Sequence, residues 1–229
     1  MKVLICAAAI VAASALTSMA QNVYSLNVVG YINIPLVEGF QLIANQLDYD
    51  GTGTNNTTSN VMGTNLPVGS AVYTWSGSKY TISTFALPKG GTTAAWSPEY
   101  TLNPGQGAWL SIPTGGLSGT SSNLTTVGQV DQGALVNNYL ASGGGYGLVG
   151  SIVPISGGLQ TVLNYMPSVG DQVYQWSTSA GKYTISTFAV PKGGTTGAWS
   201  PSEPVIQISQ GFWLNSGAKS MWSNYFQVQ

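Results

Sequence analysis

The 229-residue chain has no arginine, no histidine and a single cysteine, Cys6, and only 6% of its residues are charged. Each shortage closes a route. Without histidine there is no Ser-His-Asp or Cys-His nucleophile system and no imidazole to hold zinc. Six lysines against seven acids, a formal net charge of −1, offer no basic surface for nucleic acid or anionic lipid. Charged residues usually fill about a quarter of a globular domain. Here Ser, Thr, Asn, Gln and 30 Gly take their place. The hydrophobic share, 43%, is ordinary and too high for a disordered chain.

Long apolar runs are also scarce. The one that stands out follows Lys2, from Val3 to Leu16, with small residues at Ser18 and Ala20 behind it. That is the pattern of a secretory signal peptide over residues 1–20, cut between Ala20 and Gln21. A membrane anchor is the alternative, but the run is short for a hydrocarbon layer of about 30 Å. No later run is long enough for a transmembrane helix. The expected mature chain, residues 21–229, is secreted and has lost Cys6, so neither a disulfide nor a thiolate metal site is expected. Its stability then rests on packing and backbone hydrogen bonds.

What the chain has in abundance is itself. Residues 79–98 read KYTISTFALPKGGTTAAWSP and residues 182–201 read KYTISTFAVPKGGTTGAWSP, eighteen identities in twenty at an offset of 103. Weaker matches flank them: Gly69 to Trp75 with Gly170 to Trp176, Gln106 to Leu110 with Gln210 to Leu214, and Gly39 to Ile43 with Gly145 to Val149. The chain therefore divides into a first β module over 21–125 and a second over 126–229. No Pro- or Gly-rich linker separates them, so the copies are expected to pack directly together.

The local pattern is β nearly throughout. Runs rich in Val, Ile, Tyr, Thr and Trp, such as 23–36, 40–47, 71–76 and 80–85, end in Gly, Pro, Asn or Asp clusters. Alternation puts Tyr80, Ile82 and Thr84 on one face of their strand and Thr81, Ser83 and Phe85 on the other. Ser76 to Lys79 and Ser177 to Lys182 read as hairpin turns. Only 59–66 and 159–165 carry short helical signals. The expected fold is all-β: two tandem, homologous, β-sandwich-like modules with very little helix.

Three stretches, GFQLIANQL (39–47), VYTWSGSKY (72–80) and NPGQGAWL (103–110), resemble a module of secreted bacterial proteins that reads roughly GWNLIGNP, YVWNGSSY, APGQGFFV. The opening NVYSLNVVGYINI (22–34) is similar to that of short, signal-bearing proteins built from two such modules. The second copy fits through YGLVGSIVP (146–154), QVYQWS (172–177) and SQGFWL (209–214). Gln46 stands where the module usually has proline. The resemblance implies exported β-rich modules; it brings no assigned activity and no functional residues.

Four groups of side chains invite a chemical reading. Exposed tryptophans stack on sugars, and Trp96 and Trp199, beside Gly-rich loops, are the ligand-binding candidates among seven. Interior packing competes for all seven, and Trp75 and Trp176 on hairpin strands read as core. The repeated loop 88–93 and 191–196 (PKGGTT) offers freed backbone N–H groups with Lys89 and Lys192 as an anion site, against the plainer reading of a tight turn. Asp48 and Asp50 open an oxygen-rich loop that suggests Ca2+, although Ser59 stands where the bidentate Glu of a calcium loop belongs. Glu99 and Glu203 match across the copies instead of pairing within one, the opposite of a glycosidase dyad. No other cofactor is expected.

These features point to a non-catalytic, secreted structural or surface-associated protein. Its near-neutral β surface does little to resist association, so the expected partner is a second copy of itself or an extracellular polysaccharide or matrix. A carbohydrate-binding module and an outer-membrane β-barrel are the alternatives.

Overall fold

A computed structural model describes residues 28–118, 122–137, 144–217 and 221–228. The expected signal segment, with Cys6, lies outside the described residues, as does the start of the run 23–36. The first half contains β1 (Val29–Pro35), β2 (Gly39–Ala44), helix α1 (Thr58–Met62), β3 (Ala71–Trp75), β4 (Tyr80–Ala86), β5 (Ala95–Ser97), β6 (Gly107–Ile112) and β7 (Asn123–Gln129). The second contains β8 (Gly133–Asn137), β9 (Gly145–Val149), β10 (Gly157–Gly158), β11 (Gln172–Ser177), β12 (Lys182–Ala189), β13 (Ala198–Ser200), β14 (Val205–Ile206), β15 (Phe212–Ser216) and β16 (Trp222–Phe226). The chain is all-β apart from α1 among the described residues. None of these residues forms a helix long and apolar enough to cross a membrane.

Both halves are wired alike. One five-stranded antiparallel sheet has the order β2-β6-β3-β4-β5, the other β9-β15-β11-β12-β13, and these are the same order once the repeat is aligned. Each sheet is accompanied by a two-stranded ribbon, β1–β7 in the first half and β8–β16 in the second. Neither large sheet closes on itself. β7 pairs with β1 along its whole length, from Asn123↔Pro35 to Gln129↔Val29. The boundary expected between residues 125 and 126 falls within the span of β7, and β8 follows at Gly133. The repeat fades before β7, so sequence similarity alone had no means of marking its end.

The alternation read from sequence sorts the faces. In β4, Ser83 and Phe85 are buried while Tyr80 and Ile82 are exposed. The first core fills the space between sheet and ribbon with Ile32, Ile34, Ile43, Val72, Phe85, Leu110 and Leu124, and Val61 and Met62 of α1 close its end. The second core repeats this with Val149, Val173, Phe212, Leu214 and Trp222. α1 starts where the Thr57 side chain caps Asn60 N and where Glu99 accepts from Ser59 N. In the second half Glu203 accepts from Gln160 N at 2.6 Å and Thr161 N at 2.7 Å, holding the turn that replaces the helix. These two glutamates, matched across the copies, are structural acceptors at equivalent corners.

Candidate binding site at the junction of the halves

Because each sheet turns one face to its own core, the other face is free to meet its counterpart. It carries Phe40, Leu42, Tyr73, Trp75, Tyr80 and Trp109 in the first half, and Tyr146, Leu148, Tyr174, Trp176, Tyr183 and Trp213 in the second. Leu42, Leu148 and Trp213 are buried where the two faces touch, with Trp75, Trp109, Tyr174 and Trp176 packed around them.

The ring contacts, indole bonds and edge backbone bonds of the junction come in pairs related by exchange of the halves. Trp75 packs on Trp213 at 5.4 Å and 77°, and Trp109 on Trp176 at 5.3 Å and 78°. Trp75 Nε1 donates to Tyr146 O at 3.0 Å, and Trp176 Nε1 donates to Phe40 O at 3.1 Å. Ala44 N donates to Ser209 O, and Gly150 N to Gly105 O, at 2.8 and 3.0 Å. Residue i touching j′ while j touches i′ is the signature of an isologous, two-fold interface, here built inside one chain. Edge-to-face ring pairs add about 0.5–1.5 kcal/mol each beyond their buried area.

Two apolar clefts open beside this contact. One, about 460 Å³, is lined by Trp75, Tyr80, Tyr146, Tyr174, Tyr183, Ile185 and Trp213. The other, about 370 Å³, is lined by Phe40, Tyr73, Tyr80, Trp109 and Trp176, the two-fold counterparts of residues in the first. Their rims are open: Phe40 and Tyr146 are each 49% exposed, Tyr80 42% and Tyr183 38%. No lining residue bears a formal charge.

The clefts differ in polar equipment. In the larger one the Tyr146 and Tyr174 hydroxyls meet at 3.3 Å, and Tyr174 Oη donates to Gln172 Oε1 at 2.9 Å. Phe40 and Ala71 hold the places of Tyr146 and Gln172 in the smaller cleft, which therefore lacks this chain. The bond with Tyr146, then burial, pushes the Tyr174 phenol up to about 12, and burial raises Tyr183 as well. Both phenols stay neutral at ordinary pH, so the clefts present rings and hydroxyls without charge.

The residues singled out from sequence lie elsewhere. Trp96 is 4% exposed in the first core, stacked on Phe85, with its Nε1 donating to Gly63 O at 2.7 Å. Its ring has no open face for a ligand. Trp199 is half-buried against Phe188 beside the second core. Lys89 and Lys192 are exposed in β-turns closed by Gly91 N to Pro88 O and Gly194 N to Pro191 O, both 2.8 Å. Gly90 at φ 76° and Gly193 at φ 81° occupy the left-handed corner of those turns. One N–H of each expected anion nest is thus already used.

Asp48 is buried, accepting from Gly53 N at 2.7 Å and Asn56 Nδ2 at 3.1 Å. Asp50 accepts from Thr52 and Asn55 within its own exposed loop. The described residues contain no cluster of three or more His, Cys, Asp or Glu side chains placed to hold a metal. Trp75 and Trp176, expected in the core, line the clefts instead. A signal for them existed: an aromatic, uncharged outward face on strands whose inward face was already apolar.

Compared with models of known families, with curated proteins and with solved structures, the chain matches none.

Proposed function

We propose that the chain is a non-catalytic, exported protein of a cell surface or extracellular matrix that holds neutral polysaccharide in the paired aromatic clefts. The observation that carries this reading is the half-open ring surface of Phe40, Tyr80, Tyr146 and Tyr183 around clefts without a charged lining residue. Half-exposed aromatic rings offer apolar faces to the C–H faces of sugars, while phenol hydroxyls and nearby amides serve sugar hydroxyls. Export is supported by the signal-like pattern of residues 1–20 and by the resemblance to secreted bacterial modules. The engagement of Glu99, Glu203, Asp48 and Asp50 as local acceptors supports a binding role over catalysis.

Affinity electrophoresis of the mature chain through gels containing hydroxyethylcellulose, with alginate as the anionic control, tests the reading. Retardation by the neutral polymer, unchanged at high salt and lost in Tyr146→Ala combined with Phe40→Ala, is the expected result. Equal mobility in all gels would remove it, and retardation confined to alginate would replace the neutral ligand by an acidic one.

Self-assembly is a second reading, favoured by the ribbons. The β1–β7 and β8–β16 pairs have no third strand among the described residues, and Tyr31 and Tyr225 are 72% and 71% exposed on them. Open, uncharged strand edges are templates for further pairing. Sedimentation at micromolar concentration separates a monomer from an assembling chain. An outer-membrane barrel is not part of the proposal, since both large sheets are open-ended.

A further inference from the structure

We infer that the chain is a bivalent cross-bridge, holding two separate segments of neutral polysaccharide, one in each cleft. This rests on the reading of the clefts as polysaccharide sites and adds their number, their unequal strength and what they do together. The ring and indole contacts that wall the clefts come in exchange-related pairs, so a chemistry that recognises one cleft is presented again in the other. Tyr80 lines both clefts, which makes them neighbours. Their rings do not form a flat platform: Trp75 and Tyr80 meet at 64°, Trp176 and Tyr183 at 68°, Tyr73 and Tyr80 at 90°. Rings so inclined cannot lie together on a flat crystalline surface. They can enclose a single sugar chain, whose equatorially substituted pyranoses present C–H faces on both sides.

Duplicate clefts are of use only with a ligand that repeats. Once one segment is held, a second segment of the same or a neighbouring chain is captured at the high effective concentration set by the short distance between sites. On a long polymer the outcome is a junction between strands. The two clefts are unequal because the hydroxyl chain Tyr146–Tyr174–Gln172 has no counterpart at Phe40 and Ala71. One ordinary hydrogen bond corresponds to about a fivefold difference in affinity, with the Tyr146 cleft the tighter.

The test uses the full mature chain, cellotetraose as the short ligand and hydroxyethylcellulose as the long one. Calorimetry with cellotetraose is expected to give two sites per chain, the first about fivefold tighter. Light scattering from hydroxyethylcellulose should rise on adding protein, pass through a maximum and fall in protein excess. Tyr146→Ala and Phe40→Ala should each leave one site and abolish the rise, while Phe40→Tyr should tighten the weaker site. Ile185→Lys, at an exposed position on the rim of the larger cleft alone, should reproduce Tyr146→Ala. Near-ultraviolet circular dichroism identifies any variant that has lost its fold, and Phe40→Tyr, an exposed addition of one oxygen, keeps the test open if the truncations fail.

One cellotetraose per wild-type chain without a scattering maximum would overturn the cross-bridge and leave the binding reading standing. A scattering rise that survives in both single-cleft variants would overturn it too, assigning the effect to association between protein copies. Absence of any binding heat, together with unretarded migration through the neutral gel, would defeat the binding reading itself.

Discussion

Gly107 and Gly211 sit where each half comes close to the backbone of the other. A β-carbon at Gly211 would lie 2.3 Å from Ile43 O, and one at Gly107 would lie 2.8 Å from Val149 N and O. Those obstacles are backbone and cannot rotate away. Gly211→Ala is therefore expected to destabilise the protein by about 1–3 kcal/mol, read as a lower urea midpoint; an unchanged midpoint would mean that the halves do not approach as described. Asp131, in the link between β7 and β8, makes stability depend on pH. Burial, reinforced by the nearby Asp48 charge, raises its carboxyl above the ordinary value of 3.8. Between that value and its own raised one, the folded chain keeps a proton that the unfolded chain has released. Its contribution thus falls as pH rises through that window, and the ionised form opposes folding at neutral pH. Asp131→Asn should raise the Tm at pH 7 and leave it unchanged at pH 3; the opposite order would refute the assignment. Gln46 illustrates what single residues conceal in sequence. It departs from the proline of the related module, yet nothing in its neighbours tells that its amide accepts from Ser209 N at 2.7 Å and donates to Val153 O at 2.8 Å across the junction. A proline there has no side chain to make either bond.

At the scale of elements, the hairpins β3–β4 and β11–β12 each reach across with one tryptophan. Trp75 and Trp176 are equivalent in contact and in hydrogen bond, so truncation to alanine should cost similar amounts, about 3 kcal/mol in either case. Urea denaturation of the two variants checks this, and a several-fold inequality would show that the interface is not two-fold. The hairpins themselves were legible, because alternation, the Ser-Gly turn and the repeat all act over a few residues. Ser76 N donating to Lys79 O at 3.0 Å and Gly181 N to Ser177 O at 2.8 Å close the turns where the sequence placed them. The helical signal at 59–66 is realised in its first four residues, Ser59 to Met62, as part of α1. The destination of the outward face was not legible. Periodicity tells that Trp75 and Tyr80 lie opposite the core side of their sheet, but whether that side meets water, ligand or a second sheet depends on contacts a hundred residues away. Trp96 failed as a candidate for the same reason. A glycine-rich neighbour in sequence says little about burial, and the ring turned inward to Phe85 and Gly63.

Over the whole molecule, scarcity of charge and abundance of aromatic surface belong to one arrangement. A neutral chain with 6% charged residues attracts no ion-bearing polymer from a distance. Its clefts carry hydrocarbon and hydroxyl, so binding should be nearly independent of salt, a property the electrophoretic comparison reads directly. The junction both joins the halves and builds the clefts. Stability and binding are for that reason coupled: a ligand that fills the clefts binds only the assembled form and should raise the Tm as its concentration increases.

The most direct measurement is a nitrogen–proton correlation spectrum of the mature chain, in which the indole N–H groups of its seven tryptophans are resolved and assigned, titrated with cellotetraose. The account predicts that the Trp75 and Trp176 signals move together with those of Trp109 and Trp213, while Trp96 and Trp222, bonded inside the two cores, stay where they are. Movement of Trp96 or Trp199 alone, with the four junction indoles unchanged at saturation, would contradict it.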